Sequence, residues 1–235
     1  MRNRIFSTDS PKAIKADKYG WLNAIHYMAP HDLAGVGNLC PFASEGCKSL
    51  CLGEHSGTAI YYSSVRRSRR DKARRFMRER HAYMIDVVRA INNAGREAKR
   101  KGKKLCVRMN GSTDISWEAI RDAKGKTLFD LFPDLVFVDY TKNPNRFKRP
   151  LPANYYLTFS RSEENEGEAI ELLAKGVNVA VVFGAVKPAT WQGYSVIDGD
   201  AHDLRHLDPK GGYVIALSPK GYKAQKDRSG FVVRQ

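Results

Sequence analysis

The chain of 235 residues carries 40 Lys and Arg against 25 Asp and Glu, a formal net charge of +15, and 42% of its residues are hydrophobic. This length suits one large domain with its own core, so the four cysteines are not needed as a disulfide scaffold. No apolar run is long enough to cross a bilayer, and no apolar signal segment follows the start. We therefore expect a cytoplasmic protein with reduced thiols and no membrane partner.

The positive charge is concentrated in residues 63–81 and 96–104. Such a field attracts polyanions, including nucleic acid, although it also serves solubility alone. Four arginines in the first of these segments are the predicted nucleic-acid contacts: Arg66, Arg67, Arg69 and Arg70.

The predicted elements begin after an irregular N-terminal segment, residues 1–19. Residues 20–30 predict a short strand that Pro30 ends. Residues 61–101 have helical character, with apolar residues near one stripe and Arg and Lys around the rest. Gly95 or Gly102 is expected to break or end it.

From residue 104 onward, apolar strands alternate with helical segments, and a basic tail, residues 222–235, follows. Strands are predicted at 104–110, 134–140, 154–160, 177–184, 194–200 and 212–221, and helices at 115–123, 127–132 and 164–176. This alternation predicts a single α/β domain with a parallel sheet covered by helices. About seven strands indicate a complete or partial β/α barrel, with a doubly wound open sheet as the alternative.

Polar residues follow nearly every predicted strand, which favours the barrel and a site at the C-terminal ends of its strands. These loops are residues 110–114, 141–143, 160–162, 198–200 and 218–220. The loop of residues 38–55 also follows a strand, the first one, and should open on the same face.

Three cysteines lie in that loop, Cys40, Cys47 and Cys51, and the fourth, Cys106, lies in a predicted strand. A helical turn would place Cys47 and Cys51 on one face. Three converging thiolates repel each other unless a cation lies between them. The alternative of three independent buried thiols does not explain why they crowd one loop.

Two kinds of metal site fit this spacing. With His55, the segment reads C-x6-C-x3-C-x3-H, a complete Cys3His set for zinc that resembles RNA-binding fingers of this type. Without a fourth cysteine, the loop fits a [4Fe–4S] cluster whose fourth iron stays open for a small-molecule ligand. His55 or His26 are the candidate protein ligands to that iron, whereas Cys106 is expected in the core.

A strand followed by a three-cysteine loop, at the start of a series of βα units, resembles the radical S-adenosylmethionine enzymes. The resemblance implies a partial β/α barrel in which the open iron binds the amino and carboxylate groups of S-adenosylmethionine. It also implies that the reduced cluster supplies an electron that cleaves the sulfonium. That superfamily has the motif C-x3-C-x2-C, whereas this loop reads C-x6-C-x3-C, and residues 109–118 take the place of its Gly-Gly-Glu.

The chain as a whole resembles a family of phage-encoded proteins of unknown function. The matching stretches are "LCPFASEGCKSLC", "VRMNGSTDISWE", "NYYLTFSRSEEN" and "VIDGDAHDLRHLDPKG". This resemblance implies a phage origin, and hence the cytoplasm of a host cell, but no activity.

The loops supply candidate cofactor-binding residues. In the barrel interpretation these are Asn110, Gly111, Ser112, Ser160 and Arg161. Asn110–Gly111 is also a common turn pair, and Arg161 is equally well placed for a surface ion pair with an acidic neighbour.

A last group of candidates lies in "DGDAHDLRH". Its carboxylates and imidazoles would suit a hard metal ion, but the absence of a defined spacing favours a solvated loop. The residues are Asp198, Asp200, His202, Asp203 and His206.

The sequence therefore predicts a radical S-adenosylmethionine-like iron–sulfur protein with a small-molecule ligand at the cluster. The alternative is a Cys3His zinc or iron–sulfur protein that binds nucleic acid without catalysis.

Overall fold

The computed structural model describes residues 4–55 and 58–234, and their fold is α/β. The described strands are β1 Phe6–Ser7, β2 Trp21–His26, β3 Lys104–Arg108, β4 Val136–Thr141, β5 Tyr155–Ser160, β6 Val179–Val182, β7 Thr190–Trp191, β8 Tyr194–Asp198 and β9 Val214–Leu217. All seven predicted strands are confirmed, each over fewer residues than predicted, and β4 ends one residue later than predicted. The two-residue strands β1 and β7 were not predicted because they are too short to show a period.

The strands form one sheet in the order β1-β2-β3-β4-β5-β6-β9-β8-β7. Every neighbouring pair from β2 through β8 is parallel, and only the outermost β1 and β7 are antiparallel to their neighbours. Within the described strands, hydrogen bonds do not close this sheet into a ring. The predicted parallel α/β sheet is thus confirmed.

One face of the sheet is covered by two helices, α4 Ser63–Arg78 and α5 Arg80–Arg100. They bury apolar side chains such as Phe76, Tyr83 and Val87 against β2 and β3. The helical character predicted for 61–101 is confirmed, but it is divided between these helices because the backbone leaves the helical region at Glu79 (φ −130°, ψ 45°). Gly95 lies inside α5 without breaking it, whereas Gly102 follows the end of α5.

The remaining helices are short. They are α1 Pro11–Ile14, α2 Glu45–Ser49, α3 Thr58–Tyr61, α6 Leu128–Leu131, α7 Glu166–Ala174 and α8 Tyr222–Gln225. The predicted helices at 127–132 and 164–176 are confirmed as α6 and α7. The one predicted at 115–123 is reduced to a 3₁₀ turn at Trp117–Ala119.

The opposite face of the sheet is crossed by residues 199–208, which lie between β8 and β9. Leu204 packs there against Cys106 and Val138. The ring of His206 lies 4.4 Å from the ring of Trp21 in β2, measured between centroids. This connection therefore links the β8 side of the sheet to β2, and Cys106 lies in the core as predicted.

The two terminal segments are more ordered than the sequence indicates. The segment predicted to be irregular, 1–19, contains β1, α1 and a 3₁₀ turn at Lys15–Tyr19. The basic tail, 222–235, contains α8, and its Val233 bridges Phe183. Residues 1–3 and 235 of these segments lie outside the described residues. No helix of the described ranges is long and apolar enough to cross a membrane.

Candidate functional site

A cavity of about 1170 Å³ opens at the C-terminal ends of the parallel strands. Residues from the loops after the strands line it, including Tyr27, Asn110, Lys142, Ser160, Asp200 and Ser218. The sequence correctly predicted that these loops share one face, because parallel strands end at the same edge of a sheet.

One side of this cavity is formed by the loop of residues 38–55, which we call the cysteine wall. Cys40, Cys47 and Cys51 all line the cavity. Cys47 lies inside α2, and Ser44 caps this helix because its Oγ accepts the Cys47 N–H at 3.1 Å. The Ser44 hydroxyl donates in turn to Glu163 at 3.0 Å, so the cap ties the loop to the segment after β5.

The cysteine wall is also fixed to the loop after β3. The Asp114 N–H donates to the Leu39 carbonyl oxygen at 2.9 Å, and the Cys40 thiol lies 3.8 Å from the Ser112 carbonyl oxygen. These contacts place the thiols at the ends of the sheet strands rather than on an independent module.

The environment of the thiols disfavours free thiolates. Burial raises the pKa of Cys40 to about 12, and repulsion from Cys51 and Cys47 adds to this effect. Burial likewise raises the pKa of Cys51 to about 11, while the charge of Lys142 opposes the rise. Three deprotonated sulfurs at this place would therefore require a cation.

The candidate histidine ligands do not line the cavity. The His26 ring lies on the helix-covered face, where its nitrogens contact the Met109 carbonyl oxygen at 3.0 Å and the Tyr83 hydroxyl at 2.6 Å. His26 was wrongly considered as an iron ligand, because both its nitrogens are occupied there. His55 follows Cys51 and remains an untested candidate. Among the described residues, no three His, Cys, Asp or Glu side chains are arranged to hold one metal ion.

A second side of the cavity is formed by one face of α4 with its preceding residue, which we call the α4 wall. Tyr62, Val65, Arg69 and Lys72 line the cavity from this face at helical spacing. Arg69 and Lys72 are each only 8% exposed. The Arg69 guanidinium donates to the Gly53 carbonyl oxygen and lies 4.8 Å from the centre of the Tyr27 ring. The α4 wall thus holds the end of the cysteine wall in place.

These contacts change the interpretation of the predicted nucleic-acid arginines. Arg66 and Arg70 both lie within ion-pair distance of Glu54, at 3.7 and 3.3 Å. Arg69 is buried in the cavity wall, and Arg66 and Arg70 are half-buried. Of the four arginines, only Arg67 is exposed to solvent. Nucleic-acid binding stays a prediction, but three of its four residues are engaged with the cysteine wall.

Asn110, the first predicted cofactor-binding residue, lines the cavity, but its side chain forms hydrogen bonds within the loop after β3. Its amide oxygen accepts from Thr113, from the Ile115 N–H and from Trp117 Nε1, at 2.9 to 3.0 Å. Its amide nitrogen donates to the Ile115 carbonyl oxygen at 2.9 Å. These bonds hold the turn that carries residues 111–114.

The other predicted ligand-binding residues divide into two groups. Gly111, Ser112 and Ser160 line the cavity. Arg161 is not part of the described lining and instead pairs with Glu166 at 2.6 Å. An ion pair was the alternative considered for Arg161, although its partner was expected to be an earlier glutamate.

The acidic and histidine-containing segment 198–206 is held by cations rather than left as a solvated loop. Asp200 contacts Lys187 at 2.7 Å and Lys220 at 2.6 Å, and Asp203 contacts Arg108 at 2.9 Å. The expectation of a solvated loop is therefore wrong for Asp203, which is 7% exposed. Its acidic residues hold the connection that crosses the face of the sheet opposite the helices.

Lys72 and Lys15 also line the cavity, although neither was predicted to do so. Lys72 lies seven residues after Val65 and three after Arg69, so helical spacing alone would have grouped them. Lys15 reaches the cavity because its Nζ donates to the Asp200 carbonyl oxygen at 2.5 Å, a contact between residues 185 positions apart. Nothing in the local sequence indicates that contact.

The comparisons with known proteins define the family. The family described as Gene product 88 matches residues 4–235, nearly the whole chain, so this protein belongs to that family. No curated protein and no solved structure matches it.

Proposed function

We propose that the chain is an iron–sulfur protein in which Cys40, Cys47 and Cys51 hold a [4Fe–4S] cluster with one iron open to the cavity. The observation that carries the proposal is that these three thiols line one cavity at the strand ends, while Cys106 lies in the core below. The open iron would take a small-molecule ligand, for which S-adenosylmethionine is the first candidate.

The shared position of the three thiols in one cavity supports such a cluster. A [4Fe–4S] cluster distributes its thiolates over separate irons, so its ligands need not converge on one ion. A tetrahedral zinc site would instead need all four ligands, the three thiolates and His55, on one ion, and it stays the alternative. The neighbouring charge of Lys142 near Cys51 would offset the negative charge of thiolate ligands. A compensating charge of this kind supports a site with thiolate ligands at this place.

The cavity is also large enough for a second molecule. Its volume of about 1170 Å³ exceeds the roughly 300–1,000 Å³ typical of small-molecule sites. In the radical S-adenosylmethionine enzymes that the loop resembles, the reduced cluster supplies the electron that cleaves the bound sulfonium. Here Lys142, held at 3.0 Å from the Ser160 hydroxyl, would position a ligand beside the thiols.

The same proposal treats the sheet as a partial β/α barrel around the site. The strands β2 to β6 follow one another in chain order. Residues 199–208 also contact both β2 and β3 from the β8 side. These features support a curved sheet that partly encloses the cavity.

The test is the metal content of anaerobically purified protein. We expect brown protein with about four irons and four sulfides per chain. Replacing Cys40, Cys47 or Cys51 by Ala should remove most of the iron, whereas Cys106→Ala is the matched control and should retain it. Colourless protein with stoichiometric zinc would overturn the cluster in favour of the Cys3His site with His55, and loss of iron in Cys106→Ala would contradict the ligand assignment.

A second measurement tests the open iron. Adding S-adenosylmethionine should alter the electron paramagnetic resonance spectrum of the reduced cluster, and dithionite should then release 5′-deoxyadenosine. An unchanged spectrum without a nucleoside product would leave an iron–sulfur protein whose open site does not take this ligand.

A further inference from the structure

The charges that line the cavity do not balance. The lining contains four carboxylates, each ion-paired with a cation: Asp9, Asp114, Asp200 and Asp203. It also contains lysines and arginines that form no ion pair with any carboxylate of residues 4–55 and 58–234: Lys15, Arg69, Lys72 and Lys142. The cavity therefore carries an excess of positive charge that an anionic ligand would neutralise.

Two of these cations form a pair inside the α4 wall. Arg69 and Lys72 are separated by three residues, so they lie on one face of the helix, and both are more than nine-tenths buried. Buried like charges cost free energy unless an opposite charge is near them. The cost is visible at Lys72, because burial and the Arg69 charge lower its pKa to about 8.

Both side chains keep donors for a ligand. The Lys72 ammonium has three donors, and its hydrogen bond within the described residues is a long one, 3.4 Å, to the Arg4 carbonyl oxygen. The Arg69 guanidinium uses one nitrogen for the Gly53 carbonyl oxygen. Its remaining donors suit the oxygens of a phosphate group.

Two aromatic rings lie at the N-terminal end of the α4 wall: Tyr62 belongs to it, and Tyr61 ends the neighbouring helix α3. Tyr61 is 80% exposed and Tyr62 is 58% exposed, and both line the cavity. Tyr62 and Arg69 are seven residues apart, which is about 10 Å along a helix. The rings therefore lie about two helical turns from the cations on the same side of the cavity, and exposed tyrosines are good stacking partners for bases.

We propose that the α4 wall binds a nucleotide, with its phosphate between Arg69 and Lys72 and its base against Tyr61 and Tyr62. Its place as a substrate beside the cluster rests on the proposed function, whereas the phosphate site itself depends only on these residues.

The experiment is isothermal titration of the full chain, both iron-free and cluster-loaded, with AMP, adenosine and inorganic phosphate. AMP should bind more tightly than adenosine by about 10-fold or more, the effect of charge-assisted hydrogen bonds to one phosphate. Lys72→Gln should weaken AMP binding by a similar factor, and Lys72→Arg should restore most of it. Arg67→Gln is the matched control, since Arg67 is exposed on the same helix and does not line the cavity.

The base contact has its own variants. Tyr62→Ala should weaken AMP binding but leave inorganic phosphate binding unchanged, and Tyr62→Phe should behave like the wild type. Equal affinity for AMP and adenosine, or an unchanged affinity in Lys72→Gln, would overturn the inference. So would equal losses in Lys72→Gln and Arg67→Gln, which would indicate a general polyanion surface for nucleic acid.

The iron–sulfur cluster and the nucleotide site can be tested independently of each other. Protein that binds AMP but never acquires iron would contradict the cluster and keep the phosphate site. Cluster-loaded protein that does not bind AMP would contradict the phosphate site alone.

Discussion

The cysteine wall and the α4 wall line the same cavity, but they obtain their geometry in different ways. The cysteine wall is a loop whose thiols are placed by contacts with distant segments, such as Ser44 with Glu163 and Leu39 with Asp114. The α4 wall is one face of a 16-residue helix, so its spacing follows from the helix itself. Residue types indicate the chemistry of the loop, whereas periodicity indicates the geometry of the helix.

The largest effect should come from Gly111, where the loop after β3 meets the end of β2, because a change there disturbs both walls. Its N–H donates to the His26 carbonyl oxygen at 2.9 Å. A Cβ added at Gly111 would lie 2.6 Å from that oxygen and 2.7 Å from a Tyr27 ring carbon. Because backbone cannot give way easily, Gly111→Ala should lower the free energy of unfolding by about 3 kcal/mol or more.

Urea unfolding measures this effect, with Gly95→Ala as the control. Gly95 lies inside α5 with open space around its Cα. That variant should be as stable as the wild type or more so, by about 0.5–1 kcal/mol. Similar losses of unfolding free energy in Gly111→Ala and Gly95→Ala would show that the close contact of Gly111 with the end of β2 does not determine the stability.

Asn110 should separate the two walls, because its side chain holds residues 113–117, which contact the cysteine wall through Asp114 and Leu39. Asn110→Ala leaves Trp117 Nε1 and the Ile115 N–H without their acceptor. We expect a loss of about 2 kcal/mol, a lower iron content and little change in AMP affinity. Asn143→Ala, in the loop after β4, is the control. Intact iron with an altered response to S-adenosylmethionine would show instead that Asn110 touches the ligand, as the sequence predicted.

The Lys72 charge, which belongs to the α4 wall, should make the stability of the protein depend on pH. Its pKa falls from 10.5 in the unfolded chain to about 8 in the fold. Between these values the unfolded chain holds a proton that the folded chain has released, so stability should rise with pH, by about 2 kcal/mol. Urea unfolding in phosphate-free buffer measures this effect. The free energy of unfolding of Lys72→Met should exceed that of the wild type at pH 7, and this difference should shrink by pH 10. Parallel pH curves for the two proteins would contradict a buried charge at this place.

Ser44 should have the smallest effect, confined to the cysteine wall. Removing this cap of α2 by Ser44→Ala should cost about 1 kcal/mol and speed the loss of iron to a chelator. Thr127→Ala removes the cap of α6 instead. It should cost a similar amount without affecting iron, and equal rates of iron loss in both variants would mean that the cap does not support the cluster.

The sequence predicted the parallel strands well because each is a short apolar run between turn residues. It could not predict the break at Glu79, where the polar sequence continues without a Gly or Pro signal. It grouped the strand-end loops correctly, since parallel strands share an edge. The contacts of Arg69 with Gly53 and of Lys15 with Asp200 are tertiary, so local patterns do not contain them. For the same reason, Arg69 was interpreted as part of a basic surface rather than of a cavity.

The central claim is a cluster held by three cysteines with one iron open to the cavity. Mössbauer spectroscopy of protein loaded with ⁵⁷Fe tests it most directly, because it distinguishes irons by their ligands. We expect a quarter of the iron signal to differ from the rest and to shift when S-adenosylmethionine is added. Four equivalent irons that no small molecule perturbs, or protein that contains zinc and no iron, would contradict the account.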